Sequence, residues 1–138
     1  MTTEQLIAEL TKYTTKYSSD LARNQDHKTL AEDRTILASL NSRLGELIAE
    51  ERKVLRDKKY ARKISVNLRY KQYRTDKYAI ADASKFSEGD YSEEEKEIDG
   101  LIYYVQRLEL LQSSIKDLLD SLASHLRVLE RDFITKNY

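Results

Sequence analysis

The chain has 138 residues, about the size of one domain, with 40% apolar and 35% charged residues and a formal net charge of zero. Three Gly, no Pro and no Cys exclude a turn-rich β or α/β fold, a disulfide framework and a thiolate site. No apolar run approaches the roughly 20 residues that cross a bilayer, and the opening Met-Thr-Thr-Glu-Gln lacks the basic-then-apolar order of a signal peptide. The expectation is a cytoplasmic, all-α protein. High charge beside a modest apolar content suits long helices with a narrow buried stripe. An elongated helical hairpin or bundle within one helical domain is therefore expected, assembling through long amphipathic helices.

A short N-terminal helix is expected within residues 1–24. Thr2 and Gln5 have capping-box spacing. Leu6, Leu10, Tyr13, Tyr17 and Leu21 recur three or four apart and so share one face. Asn24-Gln25-Asp26-His27 reads as a break. A long helix then covers 28–83, opening near Thr29 with Glu32 at capping-box distance. Leu30, Leu37, Leu40, Leu44, Leu47, Val54, Ala61 and Leu68 give it a heptad-like seam. Such a helix needs partner helices, from this chain or another copy.

Residues 84–91 (Ser-Lys-Phe-Ser-Glu-Gly-Asp-Tyr) read as a loop. An amphipathic C-terminal helix is expected over 92–135, opening at Ser92 with Glu95 three residues on. Glu93, Glu94, Glu95 and Glu97 suit its positive N-terminal dipole end. Leu101, Leu108, Ile115, Leu122 and Leu129 repeat every seven residues, Tyr104, Leu111 and Leu118 fill the d positions, and Val105, Leu119, Leu126 and Phe133 widen the stripe. Leu101, Leu108, Leu111, Ile115, Leu118, Leu122, Leu126 and Leu129 are the expected oligomerisation surface. His125 falls on the seam, where a polar residue tunes register.

The zero net charge hides an asymmetry. From Arg52 to Lys77 there are eleven bases against Asp57 and Asp76, so 11 − 2 gives +9 there and −9 for the rest. With Leu47, Val54, Ala61 and Leu68 as the buried seam, a residue two positions away lies about 160–200° round the helix. Arg52, Arg56, Lys59, Lys63, Tyr70 and Tyr73 fall there. Their like charges repel at i,i+3 and i,i+4. A polyphosphate relieves that repulsion by counterion release, and tyrosines stack on bases. The expected nucleic-acid contacts are Arg52, Arg56, Lys58, Lys59, Arg62, Lys63, Arg69, Tyr70, Tyr73, Arg74 and Lys77. The second reading, ranked below nucleic acid, is that the stripe pairs with acidic residues of the C-terminal helix (Glu93 to Glu97 and Asp99), within or between subunits. An anionic membrane surface would also attract it, but the sparse, small apolar residues of the opposite face argue against a membrane.

No Gly-rich phosphate loop and no metal-ligand spacing appears, and Ser113, Ser114, Ser121 and Ser124 have no base nearby except His125. A non-enzymatic protein without cofactor or metal is expected.

Two stretches carry a family resemblance. One is Lys53-Val-Leu-Arg-Asp-Lys-Lys-Tyr-Ala-Arg-Lys63 and its continuation to Tyr73; the other is Ile102-Tyr-Tyr-Val-Gln-Arg-Leu-Glu-Leu-Leu-Gln-Ser-Ser-Ile-Lys116 with the following Asp-Leu-Leu-Asp-Ser-Leu. Together they resemble the UvsY-type recombination mediators of large tailed phages. The turn after the basic stretch lacks the Gly expected of that family. The resemblance implies a ring-like homo-oligomer that holds single-stranded DNA. It also implies a role in helping a recombinase displace a single-strand-binding protein, in the host cytoplasm, with no nucleotide hydrolysis of its own. The alternative is a structural or scaffolding helical protein, such as a virion component or adaptor, without nucleic-acid binding.

Overall fold

The computed structural model describes residues 1–18 and 26–137, with side chains as far as Thr135. Within them the chain is all-α: α1 (Thr3–Lys16), α2 (His27–Thr75), α3 (Ile80–Gly89) and α4 (Ser92–Asn137). The packing resolves into two compact units. The first comprises Met1–Ile48 with Leu108–Tyr138, the second Ala49–Arg107.

The first unit is a three-helix bundle. Its α1 opens on the expected capping box: the Gln5 amide donates to Thr2 Oγ1 at 3.1 Å, and the Thr2 amide to Gln5 Oε1 at 2.8 Å. Leu6, Leu10 and Tyr13 form its inner face; Leu21 lies outside the described residues. The cap of α2 is Asp26 rather than Thr29. Asp26 Oδ1 accepts the Thr29 amide at 2.7 Å, which holds its carboxyl below the usual carboxylate range. Antiparallel packing of α2 on α4 shows in two contacts. Gly45 lies against Gln112, and His27 meets Glu130 at 3.3 Å, 18 residues away along each helix in opposite directions. The core is almost wholly aliphatic: Leu30, Leu37, Leu40, Leu44 and Ile48 of α2 with Leu108, Ile115, Leu122 and Leu126 of α4. Each such burial stabilises by about 1.5–3 kcal/mol before entropy is charged against it.

That core accounts for much of the expected oligomerisation stripe. Leu108, Ile115, Leu122 and Leu126 are buried by their own chain, and Leu101, Leu111, Leu118 and Leu129 are half-buried. A single chain supplies the partner helices that the leucine heptads require, because α1 and α2 fold back onto α4. His125 is half-buried on this seam, and its Nε2 and Asn41 Oδ1 are buried without hydrogen-bond partners among the described residues.

One polar cluster in this unit was not legible in the sequence. Asp33 is 9% exposed. It accepts from Lys16 Nζ at 2.6 Å and from the Tyr17 hydroxyl. Burial first, and the bond to Asp33 second, push the Tyr17 phenol well above its ordinary value. The cluster clips the end of α1 to the start of α2.

In the second unit α2 turns a different face inward. The expected seam fails after Leu44: Leu47 is half-buried, Ala61 is exposed, and Val54 and Leu68 are 41% and 56% exposed. The inward face instead carries Leu55, Arg62, Val66 and Tyr73, each half-buried. Leu55 and Arg62 follow Val54 and Ala61 by one residue, a rotation of about 100°.

The long helix also stops earlier than expected, at Thr75 rather than near 83. Lys77 adopts a left-handed backbone, φ 68°. Its amide donates to Arg74 O at 3.1 Å and the Tyr78 amide to Tyr73 O at 3.0 Å. This is a Schellman C-cap, and the Tyr73 and Tyr78 rings, 5.2 Å apart and edge-on, supply its apolar contact. Glycine normally fills the left-handed position, so a lysine there hides the helix end from a sequence reader.

Most of the expected 84–91 loop is helical, as part of α3. No side chain caps α3 at Ala79. Ala83 and Ser87, one turn apart, are 0% and 1% exposed. Their small side chains let α3 lie close to its neighbours, and the Ser87 hydroxyl is absorbed by Ser84 O at 3.0 Å. Packing rather than local propensity forms this ten-residue helix.

A Lys77→Gly variant should be more stable by about 0.5–1 kcal/mol, since it removes the left-handed penalty at a small entropic cost. Urea unfolding followed by circular dichroism measures this; an unchanged or lowered midpoint would contradict the strain at Lys77.

Candidate nucleic-acid interface

Every candidate contact residue lies in the second unit, but the structure sorts them into two groups. The first group faces inward or binds neighbouring backbone. Arg62 is half-buried, its side chain 20% exposed. Its Nε donates to Tyr91 O at 3.2 Å, and its Nη2 to Glu95 Oε2 at 3.4 Å and Glu88 O at 3.5 Å. It thereby ties a carbonyl of α3 and the carbonyl of Tyr91, just before α4, to a carboxylate in the first turn of α4. Glu95 is thus engaged by Arg62 across the helices, beside the capping role expected for it. Lys58 pairs with Glu97 at 3.5 Å. Arg74 Nη1 donates to Tyr78 O at 2.8 Å and braces the Schellman turn.

Arg69 and Tyr73 belong to this group as well. Arg69 Nε donates to Asp90 Oδ2 at 2.9 Å and its Nη1 to Gln72 Oε1 at 2.9 Å. The Tyr73 hydroxyl donates to the same Asp90 oxygen at 2.6 Å. The guanidinium sits 4.8 Å from the Tyr73 ring centroid. That ring also meets Tyr78 and Phe86, at 5.2 and 5.9 Å. Asp90 is held below the ordinary carboxylate range by the Tyr73 hydroxyl first and Arg69 second. Tyr73 is therefore occupied as a packing and hydrogen-bonding residue rather than presented to a base. Tyr70 is half-buried.

The second group faces solvent. Arg52, Arg56, Lys59 and Lys63 are exposed along one side of α2. Arg56, Lys59 and Lys63 make no ion pair among the described residues. At about 1.5 Å per residue, Arg56 to Lys63 covers roughly 10 Å of helix. Because α2 is turned by one residue from the expected seam, this ridge lies beside the inward face and not opposite it. Lys77 is exposed, on the turn rather than on the helix.

The side of α2 opposite Arg62 belongs to a residue that sequence reasoning passed over. Tyr60 is 67% exposed. It lies two positions before Arg62, hence about 160–200° round the helix from it. The seam expected through Ala61 places Tyr60 only about 100° from the buried line, whereas an inward Arg62 places it on the far side. In comparisons with known proteins, no family model, curated protein or solved structure matches this chain.

The two groups make opposite predictions on substitution. Arg62→Gln should cost about 1 kcal/mol of stability, a charged hydrogen-bond set discounted for its exposed partner, whereas Lys63→Gln should leave the midpoint within about 0.5 kcal/mol. Equal effects in chemical denaturation would contradict the division.

The Asp90 cluster predicts a pH signature. A carboxyl depressed from 3.8 in the folded state stabilises fully above that value and ceases to do so as the pH falls through the folded value. The stability difference between the native chain and Asp90→Asn should thus be greatest above about pH 4 and shrink below it. A difference that stays constant into acid would show that the carboxylate charge is irrelevant there.

Proposed function

We propose that this protein binds single-stranded nucleic acid through its phosphate backbone, without catalysis, and serves as a mediator that helps place a recombinase on single-stranded DNA. The observation that carries the binding is the exposed ridge of Arg56, Lys59 and Lys63. It is a row of like charges on one helix with no carboxylate set against it among the described residues. Like charges at i,i+4 destabilise a helix by a few tenths of a kcal/mol. A polyanion that docks along them reverses that cost by displacing condensed counterions. The mediator role, the DNA rather than RNA target, the homo-oligomer and the partner recombinase and single-strand-binding protein rest on the resemblance to UvsY-type proteins.

A scaffolding role is the second reading, and Lys58, Arg62 and Arg69 favour it. Those bases pair with Glu97, Glu95 and Asp90 and tie helices together. They show what the positive stripe does when it serves packing alone.

Fluorescence anisotropy of a labelled oligothymidylate, titrated with the full chain over a range of salt, separates the two. Three phosphate contacts predict a slope of log affinity on log salt of about −2 for a single strand. The double reversal Lys59→Glu and Lys63→Glu should weaken binding and flatten the slope while helicity persists. Binding unaltered by that reversal, or absent in the native chain at low salt, overturns the proposal in favour of scaffolding.

A further inference from the structure

We infer that Tyr60 is a stacking platform for unpaired bases, which makes the ridge a reader of single strands rather than of polyanions in general. The inference rests on the backbone-binding reading above and names the part of the ligand which that reading leaves open.

A large ring that is 67% exposed in the middle of a 49-residue helix has been left unpacked by its own chain. The surrounding chemistry is specific. Arg56 lies four residues before Tyr60 and Lys63 three residues after, so both are its neighbours on the helix surface, with Cβ atoms about 5–6 Å away. On its other side Ile64, four residues on, is 41% exposed. A strand whose phosphates follow Arg56, Lys59 and Lys63 therefore has its bases beside a phenol ring and an apolar neighbour. Every base has a π-face, so such stacking tolerates any sequence. A duplex keeps its bases stacked on one another and gains only the phosphate contacts.

The other tyrosines of α2 do not compete for this role. The Tyr73 hydroxyl is bonded to Asp90 and its ring packs on Tyr78 and Phe86. Tyr70 is half-buried. The exposed row also argues against a second copy as occupant. Lys53 and Arg56 border it, and a two-fold pairing of this face on itself would set like charges opposite one another.

The native chain contains no tryptophan, so Tyr60→Trp introduces a single reporter at the proposed contact. Full-length variant is titrated with an oligothymidylate, with an abasic phosphodiester of equal length and with inorganic polyphosphate. The expected result is quenching of the indole by the oligothymidylate alone. In parallel, Tyr60→Ala should lose about fivefold or more in affinity for the oligothymidylate, and Tyr60→Phe little. Affinity of Tyr60→Ala for the abasic strand and polyphosphate should match that of the native chain. Equal oligothymidylate affinity in the native chain and Tyr60→Ala overturns the inference while the ridge stands. Failure of the native chain to bind any of the three probes overturns the ridge reading and the inference with it. A blue shift of the indole that grows with protein concentration, without nucleic acid, overturns the inference by showing that a second copy covers the ring.

Discussion

The second unit depends on where the Arg62 guanidinium goes. It is planar and permanently charged, and it carries five donors. Turned inward, it donates to the Glu88 and Tyr91 carbonyls, which also accept backbone amides, and to a carboxylate where α4 begins. An arginine in that position sets the rotation of this part of α2. Leu55 and Val66 then share the inward side, and Val54, Ala61 and Leu68 turn outward. The same rotation puts Tyr60 on the far side of the helix and the Arg56, Lys59 and Lys63 ridge between the two. A basic residue in the place of a core residue therefore decides what the surface offers.

The first unit obeys a simpler rule. Leucines and isoleucines at helical spacing are covered by their own chain, and a solitary carboxylate among them is tolerated because Lys16 and Tyr17 satisfy it. Arg62 and Asp33 thus solve one problem in two settings. A charge is enclosed between helices at tolerable cost where polar partners meet it. Solvated bases such as Lys59 and Lys63 face no such demand, and this freedom is what makes them available to a ligand.

The functional reading follows from that separation. Bases that meet carboxylates act as ties, and a tie offers nothing to a phosphate. Bases without counter-charge keep their field, and on a continuous helix they present it at regular intervals. The Asp90 cluster marks where the first kind ends: one carboxylate oxygen serves Arg69 and Tyr73 together, and three aromatic rings close over the end of α2.

The sequence by itself determined the helical class, the α1 capping box, the start of α4 and the leucine core of the first unit. Each of these rests on local spacing or on strong apolar periodicity, which a chain cannot satisfy in many ways. Only the tertiary structure decided the end of α2, the existence of α3 and the face that α2 buries beyond Leu44. Lys77 holds a backbone position where glycine is the usual sign, so the helix end carries no local mark. Ala83 and Ser87 are small enough to be buried, yet too small to advertise it. Past Leu44 the apolar residues become sparse, and their spacing no longer marks one face, so contacts brought by α3 and α4 decide which side of α2 turns inward. The positive stripe was legible as a count of charges. Which of those charges remain open was settled by the carboxylates and carbonyls that α3 and α4 bring to its side.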